Sequence, residues 1–165
     1  MGRNLPHFAI ITKNTIYLII SMFTHEYFMR QALQQAQIAF QNNEVPIGAV
    51  VVCGNTIVAK TYNQTELLQD VTAHAEILAI TAATQHIGAK YLPNCKLYVT
   101  LEPCVMCSGA AFWAQLGELI FGASDPKRGF SVLAPAALHP KTMVTRGILA
   151  EECGALVKQF FLNKR

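Results

Sequence analysis

Helical and strand-like patterns of hydrophobic residues alternate along most of this chain of 165 residues. In residues 24–41, apolar side chains recur at helical spacing, with Met29, Leu33 and Phe40 on one face. Thr24 precedes this stripe, and threonine is a residue type that caps the starts of helices. The pattern therefore predicts a first amphipathic helix that begins after a cap at Thr24.

The rest of the pattern predicts five strands and three further helices. β-Branched runs at residues 47–52 and 56–62 flank Gly54 and Asn55, a pair typical of two-residue hairpin turns. The other predicted elements are, in chain order, a helix at 72–86, a strand at 96–100, a helix at 103–115, strands at 118–122 and 143–145, and a helix at 148–163. Strands that alternate with helices indicate one α/β domain with a largely parallel sheet, covered on both faces.

Composition narrows the class of protein. Hydrophobic residues make up 52% of the chain and charged residues 14%, which excludes disorder and allows a proper core. So high an apolar fraction also indicates that a partner covers part of the surface. The formal net charge is only +3. Any binding of nucleic acid must therefore come from a local basic patch rather than from a global field.

The first 21 residues do not share the pattern of the rest. Their apolar stretch at residues 16–20 is far shorter than the roughly 20 residues that cross a bilayer. The segment also lacks a good signal-peptidase site. Because every clear pattern begins just after Met22, we interpret residues 1–21 as a doubtful leader that precedes the true start of translation. Residues 22–165 are then the functional domain.

Five cysteines occur without a repeating spacing, and an odd number argues against a disulfide framework. We therefore expect a reduced, cytosolic protein in which some thiols bind metal. Cys104 and Cys107 are three residues apart and follow Pro103 at the start of the predicted third helix, so their sulfurs point the same way. The positive end of the helix dipole there stabilises thiolates, which is the form that binds a metal.

A second motif, H-x-E, opens the preceding helix. The imidazole of His74 and the two thiolates make three ligands of a tetrahedral zinc ion and leave its fourth position for water. Glu76 lies two residues further along the helix and points away from His74, so the two side chains do not bind the same ion. In the first turn, however, its carboxylate can reach a water held by the metal and take its proton. We predict a catalytic zinc site with His74, Cys104 and Cys107 as ligands. Glu76 is its proton shuttle.

Each half of this pattern, taken alone, also occurs in proteins that have no catalytic zinc ion. A lone C-x-x-C motif is found as a redox pair, as half of a structural zinc knuckle or by chance, and a lone histidine at a helix start is usually ordinary. No second feature of a thioredoxin-like site accompanies the pair, and a structural site would need a fourth ligand. H-x-E followed by P-C-x-x-C is much rarer than either half and is the signature of zinc deaminases. The combination favours a catalytic site.

The same motifs resemble those of the cytidine/deoxycytidylate deaminase superfamily and, within it, of bacterial tRNA-specific adenosine deaminases. The similar segments are EVPIGAV at residues 44–50, TAHAE at 72–76, LEPCVMCSGA at 101–110 and the last helix. The resemblance extends from about residue 23 to the C-terminus. It implies a three-layer α/β/α cytidine-deaminase-like fold with a mixed five-stranded sheet, in a cytoplasmic homodimer that binds one zinc ion per chain.

The resemblance also implies a reaction and its contacts. The reaction is hydrolytic deamination of adenosine to inosine at the wobble position of tRNA, with the anticodon stem-loop as partner and no membrane. Asn63, eleven residues before His74, matches the family's asparagine that touches the target nucleoside. The remaining substrate contacts implied by the family are the Ala75 backbone at the base edge, and Asp125, Lys127 and Phe160 near the RNA.

Two other functions stay open. The sequence AFWA at residues 111–114 has some similarity to bacterial guanine deaminases, which share both zinc motifs. A deaminase of free guanine or cytosine, as base or nucleoside, is therefore the alternative. The third possibility is a zinc-stabilised RNA-binding protein without catalysis. Glu76 argues against it, because a structural site gains nothing from a carboxylate beside an open position.

Overall fold

The computed structural model describes residues 23–164, so the predicted leader at residues 1–21 lies outside the described part. None of the described helices is long and apolar enough to cross a membrane. The elements are, in chain order, α1 (His25–Gln41), β1 (Gly48–Cys53), β2 (Thr56–Tyr62), α2 (Ala75–Ile87), β3 (Cys95–Leu101), α3 (Val105–Trp113), β4 (Glu118–Ala123), α4 (Phe130–Leu133), β5 (Met143–Arg146) and α5 (Ala150–Asn163).

The five strands form one mixed sheet in the order β2-β1-β3-β4-β5. β1 pairs antiparallel with both β2 and β3, whereas β3 with β4 and β4 with β5 are parallel pairs. The mixed five-stranded sheet implied by the resemblance is confirmed. The largely parallel sheet expected from the alternation of elements is correct for only one half. The reason is that a hairpin joins β1 to β2 and makes these two strands antiparallel. The crossover through α2 makes β3 parallel to β2. Because β1 lies between β2 and β3 in the sheet, it is antiparallel to both.

Helices cover both faces of this sheet, because alternate residues of a strand point to opposite sides. Ala49 and Val51 of β1 belong to a buried cluster that also includes residues of α2 and α3. Val50 and Val52 face the other way and pack in a second cluster with residues of α1 and with Cys153 of α5. The layers are therefore α1 with α5, the sheet, and α2 with α3, which is the expected three-layer α/β/α arrangement.

The first helix has the predicted bounds, and the next two begin later than predicted. Thr24 caps α1, since its Oγ1 accepts a hydrogen bond from the Tyr27 amide at 3.1 Å. By contrast, α2 starts at residue 75 instead of 72, and α3 starts at residue 105 instead of 103. The cause is the same at both places: His74 and Cys104 have extended backbone and precede the first helical residue. Both side chains therefore project from helix entrances.

Two of the five cysteines form a disulfide, which the sequence pattern did not predict. Cys53 and Cys95 are direct partners in the antiparallel β1–β3 pair, with their Cα atoms 4.3 Å apart. The expectation of five reduced thiols is therefore wrong for this pair. The residues are 42 positions apart, so only the strand register brings them together. Cys104, Cys107 and Cys153 are free thiols.

Candidate metal centre and active site

The entrances of α2 and α3 meet at the carboxyl end of β3 and bring three potential metal ligands together. His74 Nδ1 lies 3.7 Å from Cys104 Sγ and 3.4 Å from Cys107 Sγ, and the two sulfurs are 3.6 Å apart. Ligand atoms around one tetrahedral zinc ion are separated by roughly 3.5 to 3.8 Å, given the usual Zn–N and Zn–S bond lengths. The side chains of His74, Cys104 and Cys107, the metal group, therefore fit a single metal ion, and one tetrahedral position remains for another ligand.

The two thiols of this group are hydrogen-bonded to each other, with the sulfur atoms 3.6 Å apart. This hydrogen bond lowers the pKa of Cys104 to about 4, although burial works in the opposite direction. The same hydrogen bond, together with burial, raises the pKa of Cys107. A lowered pKa favours the thiolate of Cys104, which is the form that a metal ion binds.

Glu76 lies one residue into α2, and its carboxyl group is almost completely buried, with 3% of the residue exposed. Its Oε2 has no hydrogen-bond partner among the described residues. Burial raises the pKa of this carboxyl above its ordinary value. A buried carboxyl oxygen without a partner is costly unless a bound molecule supplies one. Glu76 is therefore suited to hold a ligand beside the metal group.

The metal group and Glu76 open into one cavity of about 630 Å³. This volume is within the range of small-molecule binding sites. Its wall contains residues from both helix entrances, from the loop after β2 and from the loop after β4. Among them are Asn63, His74, Glu76, Cys104, Asp125 and Lys127. Asn63, Glu76, Asp125 and Lys127 are outside the metal group, and their side chains can form hydrogen bonds with a polar substrate.

Most of the predicted substrate contacts lie at this cavity or beside it. Asn63, Asp125 and Lys127 are part of its wall. Asp125 Oδ1 accepts hydrogen bonds from the Lys127 amide at 2.9 Å and the Arg128 amide at 3.0 Å, which shapes the loop after β4. Ala75 is the first residue of α2, and helix N–H groups in the first turn have no partner within the helix. Three of the five predicted contacts are thus in the cavity wall, and Ala75 lies between two wall residues, His74 and Glu76.

Phe160 is the exception, because its side chain is in the core. It is 4% exposed, and its ring packs edge-on against Phe40 with the centroids 5.8 Å apart. The neighbouring Phe161 is about half exposed and is part of the cavity wall. The side chain of Phe160 is therefore in the core, and Phe161 instead lies in the cavity wall. Two adjacent phenylalanines on a helix differ in direction by about 100°, and sequence alone does not show which of them is buried.

Two buried glutamates support the cavity wall, and the sequence patterns did not single them out. Glu44 is 1% exposed and Glu102 is 4% exposed. Glu102 accepts hydrogen bonds from the amides of Asp125 at 3.1 Å and Ser131 at 3.0 Å, so it ties the loop after β4 to the metal group. Both lie inside the EVPIGAV and LEPCVMCSGA segments. Their presence in otherwise apolar segments was the available signal.

Comparisons with known proteins identify the family of this chain. Residues 23–165 match the MafB19-like deaminase family. The chain is 42% identical over 145 residues to a tRNA-specific adenosine deaminase of Aquifex aeolicus, an alignment that covers 85% of this chain and 95% of the relative.

Two solved structures extend the comparison. One, from a study of A-to-I editing by tRNA:A34 deaminases at the wobble position of transfer RNA, is 40% identical with a TM-score of 0.74 and covers 79% of this chain and 98% of that chain. A guanine deaminase from Bacillus subtilis is 34% identical with a TM-score of 0.59, and covers 70% and 71% of the two chains. The chain therefore belongs to the MafB19-like deaminase family and is an enzyme.

Proposed function

We propose that this protein is a zinc-dependent hydrolase that converts adenosine to inosine at the wobble position of tRNA. The observation that carries the proposal is the convergence of His74, Cys104 and Cys107 beside the unpartnered carboxyl oxygen of Glu76 in one cavity. Relatives named tRNA-specific adenosine deaminase, at 37% to 43% identity over most of the chain, support the choice of substrate.

Zinc is the metal that this set of ligands favours. One imidazole and two thiolates are borderline and soft donors, and three protein ligands leave one position of a tetrahedral ion open, as in catalytic zinc sites. A zinc ion bound there lowers the pKa of water towards about 7 and so supplies a nucleophile at neutral pH. His74, Cys104 and Cys107 are the proposed ligands, with one ion per chain.

Glu76 is the proposed proton shuttle. Its carboxylate accepts one proton of the attacking water as the water oxygen adds to C6 of adenine, and delivers that proton to N1. It then accepts the second proton, from the hydroxyl group formed at C6, and delivers it to the amino group. The C6–N6 bond breaks as the C6–oxygen double bond forms, so that water and adenosine become inosine and ammonia. Burial raises the pKa of Glu76, and a raised pKa suits a carboxyl group that must both accept and release a proton near neutral pH.

The cavity rim has the basic patch that the low net charge requires for RNA binding. Lys127, Arg128 and Lys158 are exposed cations along the wall, and the ring of Phe161 lies beside them. Cations bind phosphate oxygens, and an exposed aromatic ring can stack on an unpaired base. A base in a single-stranded loop also reaches a deep cavity at the least unstacking cost. We propose this rim as the contact for the anticodon stem-loop.

A substrate test decides between this function and its alternative. The zinc-loaded protein is incubated with an anticodon stem-loop that has adenosine at the wobble position, and separately with free guanine, cytosine and cytidine. We expect inosine in the stem-loop RNA and no ammonia from the free compounds. A stem-loop with adenosine at another loop position is the matched control. Ammonia from guanine alone would establish guanine deamination instead, which the likeness to the Bacillus subtilis guanine deaminase makes the second candidate.

The third possibility, a zinc-stabilised RNA-binding protein without catalysis, is not favoured. The family to which the chain belongs is a family of deaminases. Formation of inosine or ammonia in the substrate test also excludes a purely structural role for the metal group.

We also propose that the protein is a homodimer. The surface of α3 presents apolar side chains to solvent: Trp113 is 78% exposed, Val105 41% and Met106 36%. Apolar residues grouped on one exposed helix mark surfaces that a partner covers. Sedimentation equilibrium is expected to give twice the mass of one chain, which is 18.1 kDa for all 165 residues, and Trp113→Gln is expected to weaken the association. A single-chain mass at micromolar concentration would refute the homodimer.

The proposed functional domain is residues 22–165, and its proposed location is the cytoplasm, where tRNA is the substrate. The described residues 23–164 form one sheet with both faces covered, which supports a single domain. The intact mass of the native protein tests whether its first residue is Met22.

A further inference from the structure

A buried glutamate outside the metal group holds the cavity wall that contains Asn63. Glu44 follows α1, and both of its oxygens accept hydrogen bonds from the loop after β2. Oε1 accepts from the Leu67 amide at 2.7 Å, and Oε2 accepts from the Glu66 amide at 3.2 Å and from Thr65 Oγ1 at 3.3 Å. Oε2 also accepts from Asn63 Nδ2 at 3.1 Å. Since N–H groups donate to both oxygens, Glu44 acts as an acceptor towards all its partners.

This arrangement determines the orientation of the Asn63 amide. Its Nδ2 donates both to Glu44 Oε2 and to Thr65 Oγ1, each at 3.1 Å, so both amide hydrogens are used. The opposite orientation would place the Asn63 carbonyl oxygen against a carboxylate, with no hydrogen between two acceptors. Asn63 is 3% exposed and lies in the cavity wall. Its carbonyl oxygen is therefore the group that it has left to offer to a substrate.

We propose that Glu44 is a positioning residue that makes Asn63 a hydrogen-bond acceptor, so that the site selects substrates which present a hydrogen-bond donor there. The proposal rests on the proposed function, because the donor is named from the chemistry of adenosine. The ring nitrogens N1, N3 and N7 of adenine are all acceptors. In an RNA strand, the remaining donors of the target nucleotide are the 6-amino group and the ribose 2′-hydroxyl. Asn63 accepts a hydrogen bond from one of these two groups.

The first test is Glu44→Gln, which keeps the shape and replaces one carboxylate oxygen with a donor. That donor faces either the Leu67 amide or both the Glu66 amide and Asn63, and in the second case the Asn63 amide turns its oxygen away from the cavity. We expect kcat/KM on the stem-loop to fall about tenfold or more, the usual effect of losing a buried hydrogen bond to a charged group. Glu66→Gln is the matched control, since it removes the same charge from an exposed side chain in the same loop, and it is expected to stay within about twofold of wild type.

A second pair of variants separates positioning from a merely structural role. Asn63→Asp alone places two carboxylates against each other in a buried position, and activity should fall strongly. In the Glu44→Gln, Asn63→Asp double variant, the new amide donates to the new carboxylate, and an acceptor oxygen again faces the cavity. We expect the double variant to exceed Asn63→Asp at least tenfold in kcat/KM. If each substitution only damaged the structure independently, the two losses of activity would add, and the double variant would be less active than Asn63→Asp.

The donor is identified with two stem-loops that differ at the target nucleotide, adenosine in one and 2′-deoxyadenosine in the other. If the 2′-hydroxyl is the donor, Glu44→Gln loses more activity on the ribose substrate than on the deoxy substrate. If the 6-amino group is the donor, the loss is the same on both. Zinc content and melting temperature are recorded for every variant. If Glu44→Gln does not fold, Thr65→Val removes the second acceptor of Nδ2 and is expected to lower kcat/KM severalfold without loss of zinc.

The proposal is refuted if wild type forms inosine while Glu44→Gln, or Thr65→Val in its place, is within twofold of Glu66→Gln on both stem-loops. A wild-type protein that forms no inosine refutes the proposed function instead. In that case the same variants are compared on the compound that releases ammonia.

Discussion

Glu76→Gln is expected to bind zinc as wild type does and to lose about a thousandfold in kcat. Glutamine has nearly the same shape as glutamate, and residue 76 is not among the proposed metal ligands. Its amide, however, cannot accept the proton of the attacking water or deliver it to the departing amine. General acid–base catalysis contributes typically about 10²- to 10⁴-fold, and here a single carboxyl group serves for every proton transfer.

The measurement combines zinc content with single-turnover formation of inosine in the stem-loop. Glu118→Gln is a suitable control, because Glu118 is also a buried glutamate but lies in β4 and forms an ion pair with Lys96 at 2.8 Å. That variant is expected to lose some stability and to keep its turnover. Near-normal turnover of Glu76→Gln would remove the proton-shuttle role, and loss of zinc would mean that Glu76 is a ligand.

Cys104→Ala is expected to lose both the metal and the activity. Removing this thiolate leaves one imidazole and one thiol, which are too few ligands to hold a catalytic zinc ion against dialysis. The remaining Cys107 also loses its hydrogen-bond partner at 3.6 Å. We expect zinc to fall from one ion per chain to almost none, and kcat/KM to fall by at least about a thousandfold, since the metal supplies the nucleophile.

Cys153→Ala is the matched control for this variant. Cys153 is also a free thiol, 1% exposed, but it lies in α5 on the other face of the sheet. Its substitution removes only a small apolar group and is expected to lower the melting temperature while zinc content stays at one per chain. Full zinc stoichiometry in Cys104→Ala would show that the ligand set is wrong.

The local elements were predictable, because they depend on interactions within a few residues. The helix capped by Thr24 and the second hairpin strand have the bounds that their patterns indicate, and the first hairpin strand is shifted by one residue, to Gly48–Cys53. The errors at the starts of α2 and α3 have one cause. Helical spacing does not distinguish a cap from a first-turn residue, and His74 and Cys104 are caps with extended backbone.

The sequence by itself determined the composition of the candidate site. His74, Glu76, Cys104 and Cys107 are within two short motifs, and the rarity of their combination indicates the chemistry before any fold is known. The sequence also placed these residues at the starts of helices, because a helix depends on interactions within a few residues.

Only the tertiary structure decided which distant groups meet. The β1–β3 register pairs Cys53 with Cys95, the packing of α5 buries Phe160 and turns Phe161 to the cavity, and Glu44 meets Asn63 across 19 positions of chain. These contacts follow from the order and direction of whole strands and helices. Many residues contribute to that order, and no short segment of the sequence encodes it.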